Sequence, residues 1–182
     1  MKYILLLCLL ALTCSKIIMN KSQWISALEQ LASRKTIYKN KYPYNVLYCD
    51  GKYWYCDCVN LLKALFNGRN INNWKAGSKA DTLSNTGDIG CSQFIEKCTD
   101  KSGDFTRLRE GEPRVLFLDG HIGTYIGKVV NGKYNVIECT AAWGGGIVYS
   151  WVDSNGTRRR QKGGEQRGRW TRHGKPTLWV SY

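Results

Sequence analysis

Cys58 occupies a position where a cysteine side chain becomes reactive. The preceding residue, Asp57, is a favourable helix N-cap, and the apolar pattern after it runs at helical spacing to a stop signal, Asn67-Gly68. These features predict that Cys58 lies in the first turn of a short buried helix. Unpaired backbone N–H groups and the positive end of the helix dipole favour a thiolate there. The sequence therefore predicts a nucleophilic cysteine, which needs a base.

Two histidines are available as that base. His173 lies in a basic, glycine-rich segment, where we expect a solvated side chain. His121 follows Asp119-Gly120 at the start of a predicted strand, H-I-G-T-Y-I-G, so its ring can stand at the rim of a sheet. A lone histidine is usually structural, but a catalytic base must be held rigidly near the thiol, as a strand start allows. We therefore predict His121 as the base.

Glu138, in the stretch N-V-I-E-C-T of the next predicted strand, is the candidate for the group that orients the imidazole. Asn131-Gly132 predicts a two-residue hairpin turn, which places Glu138 opposite Tyr125. His121 and Glu138 then share a sheet face but lie four residues out of register, so contact between them requires strong twist or a bulge. The alternative is a carboxylate that is merely exposed on a strand. Cys139 is expected to point to the opposite face.

The chain begins with a lysine at position 2 and an apolar run over 4–12, followed by small or polar residues. This layout is typical of a secretory signal peptide, and the run is too short to span a bilayer. We predict a signal peptide over residues 1–15 and a single domain over 16–182, because this length supports one sizeable core. The mature product is expected to be secreted and monomeric, with no stable membrane insertion.

Six cysteines follow the predicted leader, and an even number indicates disulfides in an exported protein. Cys49 with Cys56, or Cys91 with Cys98, are possible local pairs. The sequence leaves the connectivity open, and a reactive Cys58 requires at least one other free thiol. Cys56 is an alternative nucleophile, but the aspartate before Cys58 and the apolar helix after it favour Cys58. No cysteine pair has the spacing typical of zinc sites, so we predict no metal or cofactor.

The 182-residue chain carries a formal net charge of +13. Such a surplus favours polyanionic partners, among which nucleic acid, anionic membranes and bacterial cell walls all qualify. Much of the charge is concentrated in residues 158–175, R-R-R-Q-K-G-G-E-Q-R-G-R-W-T-R-H-G-K. A solvated basic loop that only aids solubility is an equally good interpretation of that run.

The elements around these residues change in type along the chain. A helix is predicted from Asn20 or Ser22 to about residue 34, and another around 91–98, in addition to the Cys58 helix. Segment 36–52 is predicted to be irregular. Short strands are predicted at 115–118, 122–130, 134–140, 146–152 and 177–181. This order predicts an α+β fold, with N-terminal helices packed on a mostly antiparallel β-sheet.

Three stretches carry a resemblance to a known group of enzymes: P-Y-N-V-L-Y-C-D-G-K-Y-W-Y-C-D-C-V-N-L, G-H-I-G-T-Y-I-G and N-V-I-E-C. They resemble the motifs of NlpC-type cell-wall cysteine peptidases and of the related CHAP amidase/peptidase domains of bacterial and phage lysins, over about residues 42–151. The resemblance implies a papain-like fold with Cys58 as nucleophile, His121 as base and Glu138 as orienting residue. It also places Tyr44 near the substrate and the oxyanion site.

The function implied by this resemblance is that of a secreted hydrolase that cleaves amide bonds in the peptide part of bacterial peptidoglycan. Trp54 and Trp143 are expected to line the substrate groove. The expected partner is peptidoglycan in an anionic cell wall, with no specific nucleic acid. Val59-Asn60 replaces the family's Ser-Gly, and the Gly-Gly after the P-Y motif is absent, which bears on groove shape and substrate preference. Two alternatives are an N-acetylmuramoyl-L-alanine amidase on the same fold and a non-catalytic cationic wall-binding module.

Overall fold

The computed structural model describes residues 17–39, 46–67, 75–81 and 85–182. The predicted signal peptide and Tyr44 lie outside these ranges. Within them, the chain folds as an α+β structure with a mostly antiparallel sheet, as the sequence predicts. None of the helices in the described ranges is long and apolar enough to cross a membrane.

The α-helices of the described chain lie at the positions that the sequence predicts. They are α1 at Lys21–Ala32, α2 at Cys58–Phe66 and α3 at Cys91–Glu96. Asn20 begins α1 with a capping box, in which its side chain and that of Gln23 each accept the other residue's backbone N–H. Asp57 caps α2 by accepting a hydrogen bond from the N–H of Asn60. Local sequence thus fixes Cys58 as the first residue of α2.

The strands are numbered in chain order. The first five are β1 Met19–Asn20, β2 Thr36–Tyr38, β3 Val46–Cys49, β4 Trp54–Cys56 and β5 Lys79–Asp81. The next are β6 Thr99–Ser102, β7 Arg114–Leu118, β8 His121–Val130, β9 Lys133–Thr140 and β10 Gly146–Val152. The last are β11 Thr157–Arg160, β12 Gln166–Arg169, β13 Arg172–Lys175 and β14 Val180–Ser181.

The larger sheet has eight strands in the order β12-β11-β10-β9-β8-β7-β13-β6. All of its neighbouring strands are antiparallel. A four-stranded sheet has the order β2-β4-β3-β5, with β2 and β4 parallel, and β1 pairs in parallel with β14. The hairpin between β8 and β9 turns at Asn131-Gly132, both with positive φ, as the sequence predicts.

The helices cover one face of the larger sheet: α2 lies against β8 and β9, α1 against β9 and β10, and α3 against β7. Phe66 of α2 is the centre of an aromatic group that joins these helices. Its ring centroid lies 5.4 Å from that of Trp179, 5.5 Å from that of Trp24 and 5.9 Å from that of Phe94. The opposite face carries a smaller apolar cluster that includes Tyr125 and Trp170. The candidate site lies where these two buried layers meet.

Several predictions from the sequence are wrong. One of the two interpretations of segment 158–175, a solvated basic loop, is wrong because the segment contains most of β11 and all of β12 and β13; segment 36–52, predicted to be irregular, contains β2 and β3. Within 177–181, only β14 is a strand. In β11, Arg158 is buried and Arg159 is exposed, as alternate side chains of a strand are. Because both are arginines, the sequence shows no alternation of apolar and polar residues from which this strand could be predicted. His173 is not solvated but fully buried on β13, between β7 and β6.

Candidate active site

Cys58 lies at the start of α2, where its side chain is buried except for 5% of its surface. The side chain of Asp57 accepts the N–H of Asn60, and its carbonyl accepts the N–H of Leu61. The N–H groups of Cys58 and Val59 have no acceptor within the helix, because an α-helix leaves its first donors unpaired. These two donors and the helix dipole favour negative charge at the Cys58 sulfur.

A shift in strand register brings His121 and Glu138 together. Near the turn, Val129 pairs with Tyr134, as a two-residue turn predicts, but from Tyr125 onward the pairing has shifted. Across this bulge β8 advances four residues while β9 advances two, which moves Glu138 two residues closer to His121 than regular pairing would. The sequence required a bulge or strong twist for this contact, and the bulge is present. His121 Nε2 lies 2.6 Å from Glu138 Oε2.

The contact between His121 and Glu138 is possible because Gly123 has no side chain. A β-carbon at Gly123 would lie 3.1 Å from the Cβ of Glu138 and 2.9 Å from the indole ring of Trp170. Trp170 stacks on the His121 ring, with 5.4 Å between the ring centroids. The imidazole is therefore held by a ring on its face and a carboxylate at Nε2. Its other nitrogen, Nδ1, is the one left for Cys58.

Glu138 is fully buried and accepts hydrogen bonds from several charged or polar groups. The Nε of Arg158 donates to both carboxylate oxygens at 3.0 and 2.9 Å, and Nη2 donates to Oε2 at 2.6 Å. The Ser150 hydroxyl donates to Oε1. The Arg158 guanidinium lies 4.4 Å from the Trp143 ring centroid and 5.6 Å from that of Trp170. These partners hold the carboxylate charged and fixed in orientation.

The contacts shift the pKa values of the site in opposite directions. Burial is the largest influence on His121 and lowers its pKa, but hydrogen bonds and charges from Cys58 and Glu138 outweigh burial and raise the pKa. Burial also acts to raise the pKa of Glu138, yet His121 and Arg158 hold that pKa below its ordinary value. This combination stabilises an imidazolium between two negative groups.

The pKa of Cys58 is lowered, which makes this residue the thiolate of the site. The hydrogen bond with Cys91 is the largest cause; burial opposes it, and the hydrogen bond and charge of His121 add to it. Cys91 is the first residue of α3, and its Sγ lies 3.6 Å from Cys58 Sγ. The hydrogen bond to Cys58, together with burial, raises the pKa of Cys91, which stays the protonated partner. Burial and the nearby Cys58 charge likewise raise the pKa of Tyr38.

The structure places the other predicted site residues as follows. Tyr44 lies outside the described residues. Trp54, on β4, belongs to the core beneath the helices and is 6% exposed. Trp143 is 8% exposed and packs on Arg158 rather than on open solvent. A role for any of these three in substrate binding stays a prediction.

The described cysteines are all free, so the local pairs considered from the sequence are not formed. Cys98 donates instead to the carbonyl of Phe94 at 3.6 Å. Cys56 donates to the sulfur of Cys139 at 3.4 Å, and both side chains are buried in the core beneath the helices. Cys139 therefore points away from the face that carries Glu138, as the sequence predicts.

Sequence reasoning missed three groups of this site: Arg158, Ser150 and Cys91. Arg158 was hidden in a basic run, although the alternation of T-R-R-R marks it as an inward position once the strand is recognised. Ser150 lies two residues along β10 from Val148, the cross-strand partner of Glu138, so strand parity could have placed it on the same face. Cys91 carries no local signal, because its proximity to Cys58 depends on the packing of α3 against α2.

No group of three or more His, Cys, Asp or Glu side chains in the described ranges is arranged to hold a metal ion. Comparisons with protein-family models, curated proteins and solved structures returned no match to this chain. What the protein does must therefore be inferred from the chemistry of the site.

Proposed function

We propose that the chain is a secreted cysteine hydrolase with a papain-like, NlpC/CHAP-type architecture that cleaves amide bonds in the peptide part of bacterial peptidoglycan. The main support for the proposal is that His121 lies between Cys58 and Glu138, with 2.6 Å between the imidazole and the carboxylate. A thiol at a helix start, a histidine at a strand start and a carboxylate on the next strand suit acyl transfer. The three stretches that resemble cell-wall peptidases contain these same residues.

In the proposed reaction, the Cys58 thiolate attacks the carbonyl carbon of an amide. The N–H groups of Cys58 and Val59 stabilise the oxyanion that forms. His121, protonated at Nδ1, transfers its proton to the leaving amine as the C–N bond breaks and a thioester remains. His121 then accepts a proton from water, which attacks the thioester and releases the carboxylic acid. Glu138 holds Nε2 throughout, so that Nδ1 keeps facing the reacting atoms.

A cationic edge beside the site supports an anionic wall polymer as the partner. All four residues of the edge strand β12 are exposed. Exposed cations on β11, on β12 and between them are Arg159, Lys162, Arg167 and Arg169. This edge is tied to the site because Arg158 Nη1 donates to the carbonyl of Arg167 at 2.8 Å. Such a surface attracts polyanions and concentrates them beside the reactive thiol.

The proposed function is tested by digestion of purified peptidoglycan with the protein lacking the predicted leader, residues 16–182. Mass spectrometry of the soluble fragments identifies new amine and carboxyl ends. The parent chain and a Cys56→Ala control, which removes the neighbouring thiol, should release such fragments, whereas Cys58→Ala should release none. Full activity in Cys58→Ala, or no new ends from the parent chain, contradicts the proposal.

The same digestion separates the rival functions. Cleavage between the lactyl group of muramic acid and L-alanine identifies an amidase instead of a peptidase. A non-catalytic wall-binding module would release nothing and would bind with a steep dependence on salt. It would also lack a hyper-reactive thiol. Rapid labelling of Cys58 by iodoacetamide near neutral pH therefore argues against that module.

A further inference from the structure

Two thiols of the candidate site face each other across the starts of two helices. Cys58 begins α2 and Cys91 begins α3, with 3.6 Å between their sulfur atoms. A disulfide bond is about 2.05 Å long, so the sulfurs must approach by about 1.5 Å. Side-chain rotation can supply a movement of this size. The hydrolytic reaction described above uses Cys58 but gives Cys91 no covalent role.

We infer that Cys58 and Cys91 are an oxidation site, in which a peroxide converts Cys58 to a sulfenic acid and Cys91 resolves it into a reversible disulfide. The pairing of a reactive thiolate with a second thiol at contact distance is the arrangement from which such disulfides form. Capture by Cys91 protects Cys58 from irreversible oxidation. It also removes the nucleophile until a reductant restores both thiols.

A second thiol pair shows why the site is selective. Cys56 and Cys139 also lie at contact distance, 3.4 Å, but they are 1% and 0% exposed. The pKa of Cys139 is raised, chiefly by burial, whereas the pKa of Cys58 is lowered, so Cys58 and not Cys139 supplies a thiolate that can attack an oxidant. Cys91, in contrast, is partly exposed. An oxidant from solvent therefore meets the Cys58–Cys91 pair first.

The chemistry balances with peroxide as the only added reagent. The Cys58 thiolate attacks one peroxide oxygen, the O–O bond breaks, and a sulfenic acid forms with release of hydroxide. The hydroxide takes a proton from His121 and becomes water. The Cys91 sulfur then attacks the Cys58 sulfur, the S–O bond breaks, and the departing hydroxyl leaves as water with the Cys91 proton. The two cysteines lose two electrons together, and the peroxide gains them.

The loss of activity that follows rests on the proposed hydrolase function, whereas formation of the disulfide does not. The test therefore follows the sulfur atoms by mass. Reduced protein, residues 16–182, is freed of reductant, treated with hydrogen peroxide, alkylated with iodoacetamide and digested. The expected product is one cross-linked peptide pair that contains Cys58 and Cys91 and lacks two hydrogen atoms. Dithiothreitol should convert it back to two alkylatable peptides.

Two variants define the role of Cys91. In Cys91→Ser, continued peroxide should drive Cys58 to sulfinic and sulfonic acids, which dithiothreitol does not reverse. The matched control is Cys98→Ser, which removes a buried thiol two residues beyond the end of α3 and should still form the Cys58–Cys91 link. Separate alkylation of Cys58 and Cys91 after peroxide overturns the inference, as does a link between Cys56 and Cys139 in its place. A failed peptidoglycan digestion with an intact link would overturn only the proposed function.

Discussion

Two histidines lie on the larger sheet, His121 with 12% of its side chain exposed and His173 fully buried, and the groups around them are opposite in charge. His121 contacts the carboxylate of Glu138 and the thiol of Cys58. His173 has Arg114 Nη1 at 3.3 Å from its Nδ1 and the Asp104 carbonyl at 2.9 Å from its Nε2. A carbonyl only accepts, so Nε2 of His173 carries the proton and Nδ1 accepts from the guanidinium. His173 is therefore fixed as a neutral ring.

This difference in partners gives the two imidazoles opposite pKa shifts. Burial is the largest influence at both and lowers both pKa values. At His173 the Arg114 charge adds to burial and the pKa stays low, although the Asp104 carbonyl opposes it. At His121 the negative partners outweigh burial. Both rings also contact an aromatic ring, at 5.4 Å for Trp170 and 5.3 Å for Phe105. The sign of the partner charge, and not burial or aromatic packing, therefore distinguishes the candidate base from the structural histidine.

Replacement of each histidine by asparagine is the strongest test of this distinction. His121→Asn should lower kcat/KM for peptidoglycan fragments by about 10³-fold, because general acid–base transfer is lost. His173→Asn should leave kcat/KM near the parent value but lower the free energy of unfolding by about 1–3 kcal/mol, since a buried hydrogen-bonded ring is lost. Steady-state kinetics and urea unfolding of both variants measure these effects. A large loss of turnover in His173→Asn would contradict the assignment of His173 as a structural histidine.

The carboxylates beside the two sites should differ as well. Glu138→Gln leaves the buried Arg158 without a counter-charge, so we expect about 3–5 kcal/mol less stability and about a 10²-fold loss of kcat/KM. Asp100→Asn is the matched change beside His173. Asp100 pairs with Arg114 at 2.6 Å but has 35% of its side chain exposed, and Glu112 at 3.4 Å remains as a counter-charge for Arg114, so the loss of Asp100 should cost less than about 1 kcal/mol. Equal losses of stability for Glu138→Gln and Asp100→Asn in urea unfolding would show that burial of an ion pair does not determine how much it contributes to stability.

Thiol labelling of Cys58 tests the difference between the two histidines without a substrate. Because the pKa of Cys58 is lowered, iodoacetamide should label it well below the ordinary thiol pKa of 9.0, and labelling should fall only in acid. His121→Asn removes a positive partner, so the onset of labelling should move to higher pH. His173→Asn should leave the onset in place. Peptide mass spectrometry of labelling rates against pH measures all three profiles, and an unchanged onset in His121→Asn would contradict the ion pair.

The parts of this site that follow from local sequence were predictable. An N-cap aspartate and an apolar helix place Cys58, and an Asn-Gly turn with strand parity puts His121 and Glu138 on one face. The position of the bulge was not predictable, because it rests on a distant contact. Gly127, with φ of 75°, accepts a hydrogen bond from the N–H of Gly111 at 2.8 Å, and a β-carbon on Gly127 would lie 3.3 Å from that residue's backbone.

The burial of Arg158 and His173 was hidden for a related reason. Both belong to a basic, glycine-rich run whose composition favours solvent. Their partners, Glu138 and Arg114, lie 20 and 59 residues away in sequence. A charged or polar side chain is buried only where such a partner compensates for lost hydration, and sequence composition carries no information about that pairing. The fold class thus follows from pattern, whereas the polar interior of the sheet follows from tertiary contacts.

The smallest expected effect concerns stability against pH, and the two sites should differ in its sign. The pKa of His173 is lowered in the fold, so its stabilising effect is present above the ordinary value of 6.5 and is lost as pH falls towards the lowered pKa. The pKa of His121 is raised, so its effect is full below 6.5 and is lost as pH rises through the raised pKa. The stability cost of His173→Asn should therefore shrink from pH 7 to about pH 5, and that of His121→Asn should grow. Urea midpoints of both variants and the parent chain at the two pH values measure the costs. The other groups that titrate near the two histidines, Asp57 and Asp100 among them, are common to all three proteins. If the stability costs of the two variants changed in the same direction with pH, the partner charges would not control the pKa values of the imidazoles.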